Sequence, residues 1–415
     1  MDKSDETIRQ RLTGLLFFGQ SIGSAAFIAG STVSALVGAQ LNGTAWLAGL
    51  PGAVHLAGSA LAAYPAARLM ERLGRRPGLV FGFSLGLVGA LTAGGAVLAG
   101  SFAAFLLGVA LMGTARGFTD MGRYAAAEMH PAAARGRAIS LVVLGGTLGA
   151  VLGPGLVGPT GDLARAAGAE ALAGPWFASA VLFSLGALAM SLWLRPDPRD
   201  LARQIGQPDA DTGAAPPAGR AWRDLLRLLP VQTALSALVL GQVVMVMLMA
   251  MTSLHMQGHQ HSLFEISLVI SAHTLGMFGP SVISGRLVDR WGRAPMIGLG
   301  AGLLVLACLL APLSPATLPI GVALFLLGLG WNFTYVAGGT LLTDVLTSGE
   351  RARGQGVADL LINLASASGS LGSGVLFAGL GYALISWIGL LLALIPLALA
   401  VAMLVRRAGR AATLD

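Results

Sequence analysis

Two histidines sit where a chain seldom puts an ionisable ring. His273 lies in the apolar run ISLVISAHTLGMFGPSVIS, and His55 lies in AVHLAG. Burying such a group is costly, so an ionisable side chain in an apolar run is a candidate for work. A neutral imidazole both donates and accepts hydrogen bonds, and histidine titrates near pH 6.5, which suits solute contact and proton exchange. Alternatively, each ring simply bonds a neighbouring backbone carbonyl. A second group is ARGFTDMGRY, where Arg116, Asp120 and Arg123 are spaced four and three apart and would share one helix stripe. Arg116 could hold an anionic or carbonyl-bearing solute, with Asp120 as a proton acceptor; the rival reading is an ion network tying one helix to its neighbours. A third group is Trp331, Asn332 and Tyr335. Aromatic rings four apart share a helix face and, with an amide beside them, suit a planar solute, unless they serve packing alone. Gln20 and Gln242 are lone amides in apolar runs, placed either to join helices or to meet the solute.

Other chemistries find no support. Lys3 is the only lysine, so the phosphate cradle G-x-x-x-x-G-K-[ST] cannot be formed. GQSIG and GFSLG match the G-x-S-x-G string but lie inside apolar helical runs, not at a strand-to-helix turn. The sequence has no C-x-x-C pair and no H-E-x-x-H, and its one cysteine, Cys308, excludes an internal disulfide. Met245, Met247, Met249 and Met251 alternate and so spread around a helix, while His255, His259 and His261 read as a polar turn. No cofactor, no metal and no enzymatic activity are expected. A membrane-embedded enzyme lacks its nucleophile, and a sensor lacks a long appendage.

The elements that must position these residues are apolar. Of 415 residues, 55% are hydrophobic and 11% charged. Runs of about 20 apolar residues cross a bilayer as helix, and twelve are expected at roughly 12–37, 46–67, 78–99, 102–127, 136–158, 175–194, 229–254, 262–285, 295–313, 318–345, 354–377 and 380–405. The first reads as a retained span rather than a cleaved leader. The net charge of +7 is a topology signal. Arginines gather before span 1, between spans 2 and 3, 6 and 7, 8 and 9, and 10 and 11, at the start of span 5, and after span 12. Only Arg165 falls on the other side. Basic loops stay inside, so both termini and the 195–228 loop are expected in the cytoplasm. Nucleic acid is not an expected partner; the bilayer and a small solute are.

ARLMERLGRRP (Ala67–Pro77) matches GRLVDRWGRAP (Gly285–Pro295) at an offset of 218 residues, which also carries Arg135-Gly136 onto Arg353-Gly354 and His55 onto His273. The chain is thus expected as two six-helix halves, 1–194 and 229–415, joined by a Pro- and Arg-rich linker at 195–228. At that offset Arg116, Asp120 and Arg123 fall on Thr334, Gly338 and Leu341, all uncharged. Both histidines lie near mid-membrane, His273 being about 16 Å deep at ~1.5 Å per residue.

Two parallel halves with this loop pair resemble the major facilitator superfamily, whose signature is G-x-L-x-D-R-x-G-R-R. GAVLGPGLVG (Gly149–Gly158) resembles the glycine–proline motif of proton-coupled antiporters, with Val157 in place of one glycine. GLGWNFTYVAGGTLLTD and ERARGQG are similar to a bacterial subgroup that includes proposed riboflavin transporters. The resemblance implies a monomeric, multi-pass protein of the bacterial inner membrane. It implies alternating access, with helices 1, 4, 7 and 10 lining a cavity flanked by helices 2 and 8, and proton coupling. Glu71, Arg75, Glu128, Asp289, Arg293 and Asp344, at inner helix ends, would act as gate locks. A proton-coupled multidrug exporter is the alternative.

Overall fold

The computed structural model describes residues 3–131, 134–204, 220 and 222–411. The first part of the chain forms α1 (Lys3–Asn42), α2 (Leu50–Leu73), α3 (Arg75–Ala99), α4 (Phe102–Thr119), α5 (Gly122–Glu128), α6 (Arg135–Leu152), α7 (Val157–Ala166), α8 (Gly174–Trp193) and α9 (Pro198–Gln204). The second part forms α10 (Trp222–Leu226), α11 (Leu229–Gly258), α12 (Leu263–Phe278), α13 (Ser281–Trp291), α14 (Arg293–Leu310), α15 (Thr317–Val345) and α16 (Ser348–Ala411). Contacts group residues 1–43 with 50–213, and residues 44–49 with 214–415, as two compact units. The middle of the expected linker lies outside the described residues.

Among the described residues ten helices are long and apolar enough to cross a bilayer, and α12 with α13 makes one more, bent by 45°. The run Gly354–Arg406 has 53 residues, about 80 Å of helix, more than twice a ~30 Å hydrocarbon core. It breaks at Gly381 (φ 75°, ψ −170°), where spans 11 and 12 are expected to meet. Large apolar side chains point outward, among them Leu61 and Leu318, each 78% exposed. Such a surface suits lipid rather than water. The protein is an all-α polytopic membrane protein built from two related bundles.

With lipid outside, helices hold together through close packing of small residues. The glycine–proline motif shows how. A Cβ on Gly149 would stand 1.8 Å from Ser21 O, and one on Gly153 would stand 2.7 Å from Ala25 O, so only glycine lets α6 lie this close to α1. Span 5 is not the single helix expected over 136–158. It ends at Leu152, turns through Pro154–Leu156 and resumes as α7, since Pro154 has no N–H to continue the ladder. Span 4 also departs from expectation: α4 stops at Thr119 and α5 starts at Gly122. Arg123 therefore leaves the Arg116 stripe, and its guanidinium lies 4.9 Å from the Tyr124 ring centroid.

The matched loops obey one backbone rule. Gly74 (φ 107°) and Gly292 (φ 92°) both hold left-handed geometry, which suits glycine. A residue that the sequence did not flag completes the first loop. Asp197 accepts the Arg75 N–H (3.1 Å) and the Arg76 N–H (2.9 Å) at the start of α3, where a helix favours negative charge. In the second unit Glu350 accepts the Arg220 N–H (2.7 Å), its Nη2 (2.8 Å) and the Thr347 N–H (3.0 Å). These bonds hold its carboxyl well below the usual carboxylate range, the Arg220 guanidinium contributing most. A lowered carboxylate stabilises the fold above its unfolded pKa and loses that effect as pH falls through the folded value. Glu350→Gln is expected to lower the melting temperature at pH 7 by a few degrees. The gap to wild type should narrow below about pH 4 in a thermal-shift titration.

Candidate functional site

In the first unit α1 turns Gln20, Ser24 and Phe27 toward the last turn of α4. There Arg116, Thr119 and Asp120 join them around a cleft of about 20 Å³, room for one water. Gln20 Nε2 donates to Asp120 Oδ1 at 3.1 Å. Arg116 Nε stands 3.5 Å from Asp120 Oδ2. The Arg116 guanidinium lies 5.7 Å from the Phe27 ring centroid, and that ring meets His55 edge-on at 5.5 Å. Phe27 thus stands between the charged pair and His55. Arg116 and Asp120 are 42% and 32% exposed, and exposed pairs of this kind contribute at most about 1 kcal/mol of stability. The pair presents charge more than it staples helices.

In the second unit Trp331 Nε1 donates to Gln242 Oε1 at 2.6 Å. Trp331 and Tyr335 stack with centroids 4.9 Å apart and planes at 24°. Phe278 closes the far edge of Trp331 at 6.2 Å. Tyr335 is exposed, so this is a shelf. Asn332 does not lie beside it: its amide turns toward α12 and α13, donating to Met277 O at 2.6 Å and Ser281 Oγ at 3.1 Å. His273 is fully enclosed. Its Nδ1 donates to Leu324 O on α15 at 2.9 Å, while Nε2 is buried without a partner.

The structure changes the register of the repeat. A Cβ on Gly113 would stand 2.2 Å from His55 O, and one on Gly328 would stand 2.3 Å from His273 O. Likewise Gly58 faces Ala110 O as Gly276 faces Phe325 O, and Gly82 faces Phe118 Cβ as Gly300 faces Phe333 Cβ. Spans 2 and 3 keep the 218 offset, but span 4 maps onto span 10 at 215. The stretch from Gly300 to Gly328 is three residues shorter than the one from Gly82 to Gly113, and α14 is shorter than α3. Arg116 is therefore equivalent to Trp331 and Asp120 to Tyr335, not to Thr334 and Gly338. One position in the bundle carries an ion pair in one half and a stacked aromatic pair in the other. The match of GFTD (Gly117–Asp120) with NFTY (Asn332–Tyr335) was available in the sequence. Gly113→Ala should force α2 and α4 apart and cost about 1–3 kcal/mol. It should lower the melting temperature, whereas Gly339→Ala, with nothing within 4 Å, should not.

Five of the six expected gate residues form ion pairs within their own units. Arg75 Nε donates to Glu128 at 2.8 Å. Arg293 Nε donates to Asp344 at 2.8 Å, and its Nη1 lies 3.7 Å from Asp289. Glu71 is exposed and enters no ion pair among the described residues. Of the outer histidines, His255 stacks on Tyr382 at 4.4 Å and meets His259 edge-on at 4.6 Å, while His261 bonds Pro315 O at 2.7 Å. No metal-ligand cluster occurs among the described residues.

Repeated lipid-facing bundles that display charge and amide inside are the build of a solute transporter. Known proteins agree. The family model of the Major Facilitator Superfamily matches residues 12–262 and 233–414. The uncharacterised MFS-type transporter YdeG of Bacillus subtilis is 35% identical over 395 residues, covering 95% of this chain and 92% of the relative. The riboflavin transporter RfnT of Brucella anthropi is 30% identical over 385 residues, 93% of this chain and 94% of the relative. A bacterial homologue of the human lysosomal transporter Spinster, solved inward-facing and unoccupied, shares the fold with TM-score 0.63 at 18% identity, covering 96% of this chain and 95% of that one. The chain belongs to the major facilitator superfamily, and it is a secondary transporter of a small organic solute.

Proposed function

We propose that this transporter moves a planar, polar solute of flavin-like character across the bacterial inner membrane, driven by protons and working as a monomer by alternating access. Both termini lie in the cytoplasm. One observation carries the coupling: Asp120, on a membrane-spanning helix, is bonded by Gln20 and paired with Arg116 in a polar cleft. Protonating it removes the counter-charge of Arg116, which ties proton binding to the way the cleft holds solute. The Trp331–Tyr335 shelf and the similarity to the riboflavin transporter RfnT support the solute class. Gln242, oriented by Trp331, offers its amide N–H groups to a ring carbonyl. His55 and His273 sit at the margins, held by α4 and α15. The multidrug reading leans on GAVLGPGLVG, in which Gly149 and Gly153 serve the contact with α1.

The test is riboflavin uptake into proteoliposomes under an imposed pH gradient. Accumulation that collapses with a protonophore is expected. Uptake indifferent to the gradient would reject proton coupling, and no exchange of riboflavin would reject the solute class.

A further inference from the structure

The corrected register sets Gly117 opposite Asn332 and Ser59 opposite Met277. In the first unit a Cβ on Gly117 would stand 3.0 Å from Ser59 O and 2.8 Å from Ala62 Cβ, so α2 and α4 touch backbone to backbone. There α2 runs unbroken from Leu50 to Leu73, through Pro65. In the second unit the same place holds a side chain. Asn332 is 3% exposed, and its amide donates to the Met277 carbonyl at 2.6 Å and to Ser281 Oγ at 3.1 Å. Its Oδ1 accepts from Ser284. Here the span breaks between Phe278 and Ser281, with a 45° bend.

The placement is specific. Met277 O is the acceptor that the Ser281 N–H would use in a continuous helix, four residues on. Asn332 occupies it. A side chain inserted into the ladder is a recognised cause of a sharp bend. Proline alone is not sufficient in this fold, since α2 passes Pro65 without a break. Pro280 stands where the first half has Ala62, and it helps by withholding one N–H. At its other end α13 is held again: Arg293 reaches Val288 O and Asp289 while pairing with Asp344 of α15.

We infer that Asn332 is a positioning residue for transport: it wedges open span 8 so that α13 becomes a separate arm, hinged at Gly279–Pro280 and latched to α15 through Arg293 and Asp344. The first half places its break on the other helix of the pair, at Asp120–Met121, and leaves α2 unbroken. The wedge uses the transporter class but not the solute assignment proposed above.

Hydrogen exchange on purified protein decides it. In Asn332→Gly, and more so in Asn332→Gly with Pro280→Ala, the Ser281 and Val282 amides should exchange about ten-fold more slowly, as the ladder closes. Unchanged or faster exchange there overturns the wedge. Should those variants not fold, Gly117→Asn is the reciprocal: it should speed exchange at Ala63 and Tyr64 about ten-fold, and unaltered protection overturns the idea equally. In riboflavin counterflow, Asn332→Gly should slow maximal exchange about ten-fold while half-saturation stays within about two-fold. A raised half-saturation at an unchanged maximal rate would make Asn332 a solute contact and overturn the hinge. Wild-type protein that exchanges no riboflavin rejects the solute class alone, and the exchange data then decide the wedge.

Discussion

Asp120→Asn is expected to abolish the pH dependence of uptake while sparing solute-for-solute exchange. Asparagine keeps the size of the side chain and fits the cap geometry at the end of α4 (φ −65°, ψ −16°). It can still meet Gln20, but it cannot lose a proton or neutralise Arg116. Wild-type uptake should rise as the outside is acidified. The variant should run at one rate across that range, with gradient-driven uptake at least ~10-fold lower, the effect of about 1.4 kcal/mol in coupling. Proteoliposome uptake at fixed inner pH and varied outer pH measures this. A variant that keeps the wild-type pH profile removes Asp120 from the coupling path and returns it to a structural pair.

Tyr335→Ala should cost solute affinity most where the solute is flat. The Tyr335 ring is the exposed layer of the stack, 38% accessible, with Trp331 beneath it. Stacking of a heterocycle on an aromatic side chain is worth about 1–3 kcal/mol, roughly a 5- to 150-fold change in half-saturation. Tyr335→Phe keeps the face and should remain within a few-fold of wild type. Equal losses in the two variants would point to the hydroxyl instead. Unchanged affinity in both would dismiss the shelf.

The bundle architecture was legible because membrane crossing imposes length and apolarity on every span, and Gly381 divides the last long helix where two spans were expected to meet. Breaks inside spans were not legible. Hydropathy is blind to where the hydrogen-bond ladder opens, and the openings at Asp120–Met121 and Phe278–Ser281 fall within uniformly apolar or mixed stretches. Asp197 escaped notice because the helix that it caps begins 122 positions earlier in the chain. His55 and His273 were recognisable as a pair, but only packing shows that His273 spends its Nδ1–H on Leu324. The ion pair and the aromatic pair were each visible. Their equivalence was hidden by carrying an offset measured in two loops into spans 4 and 10, where the two halves are three residues out of step with it.

That equivalence bears on how the gene can have changed since its duplication. A protein made of two identical halves would have carried one four-residue segment twice, with the same helix straight in both. Here one copy became GFTD and the other NFTY. With the preceding Arg116 and Trp331, these segments set the charge in one half and the aromatic face in the other. The halves have become specialists: a chimera joining two N-terminal halves would double the charge and lack any shelf, and one joining two C-terminal halves would lack the carboxylate. Drift in either segment is therefore no longer buffered by its copy.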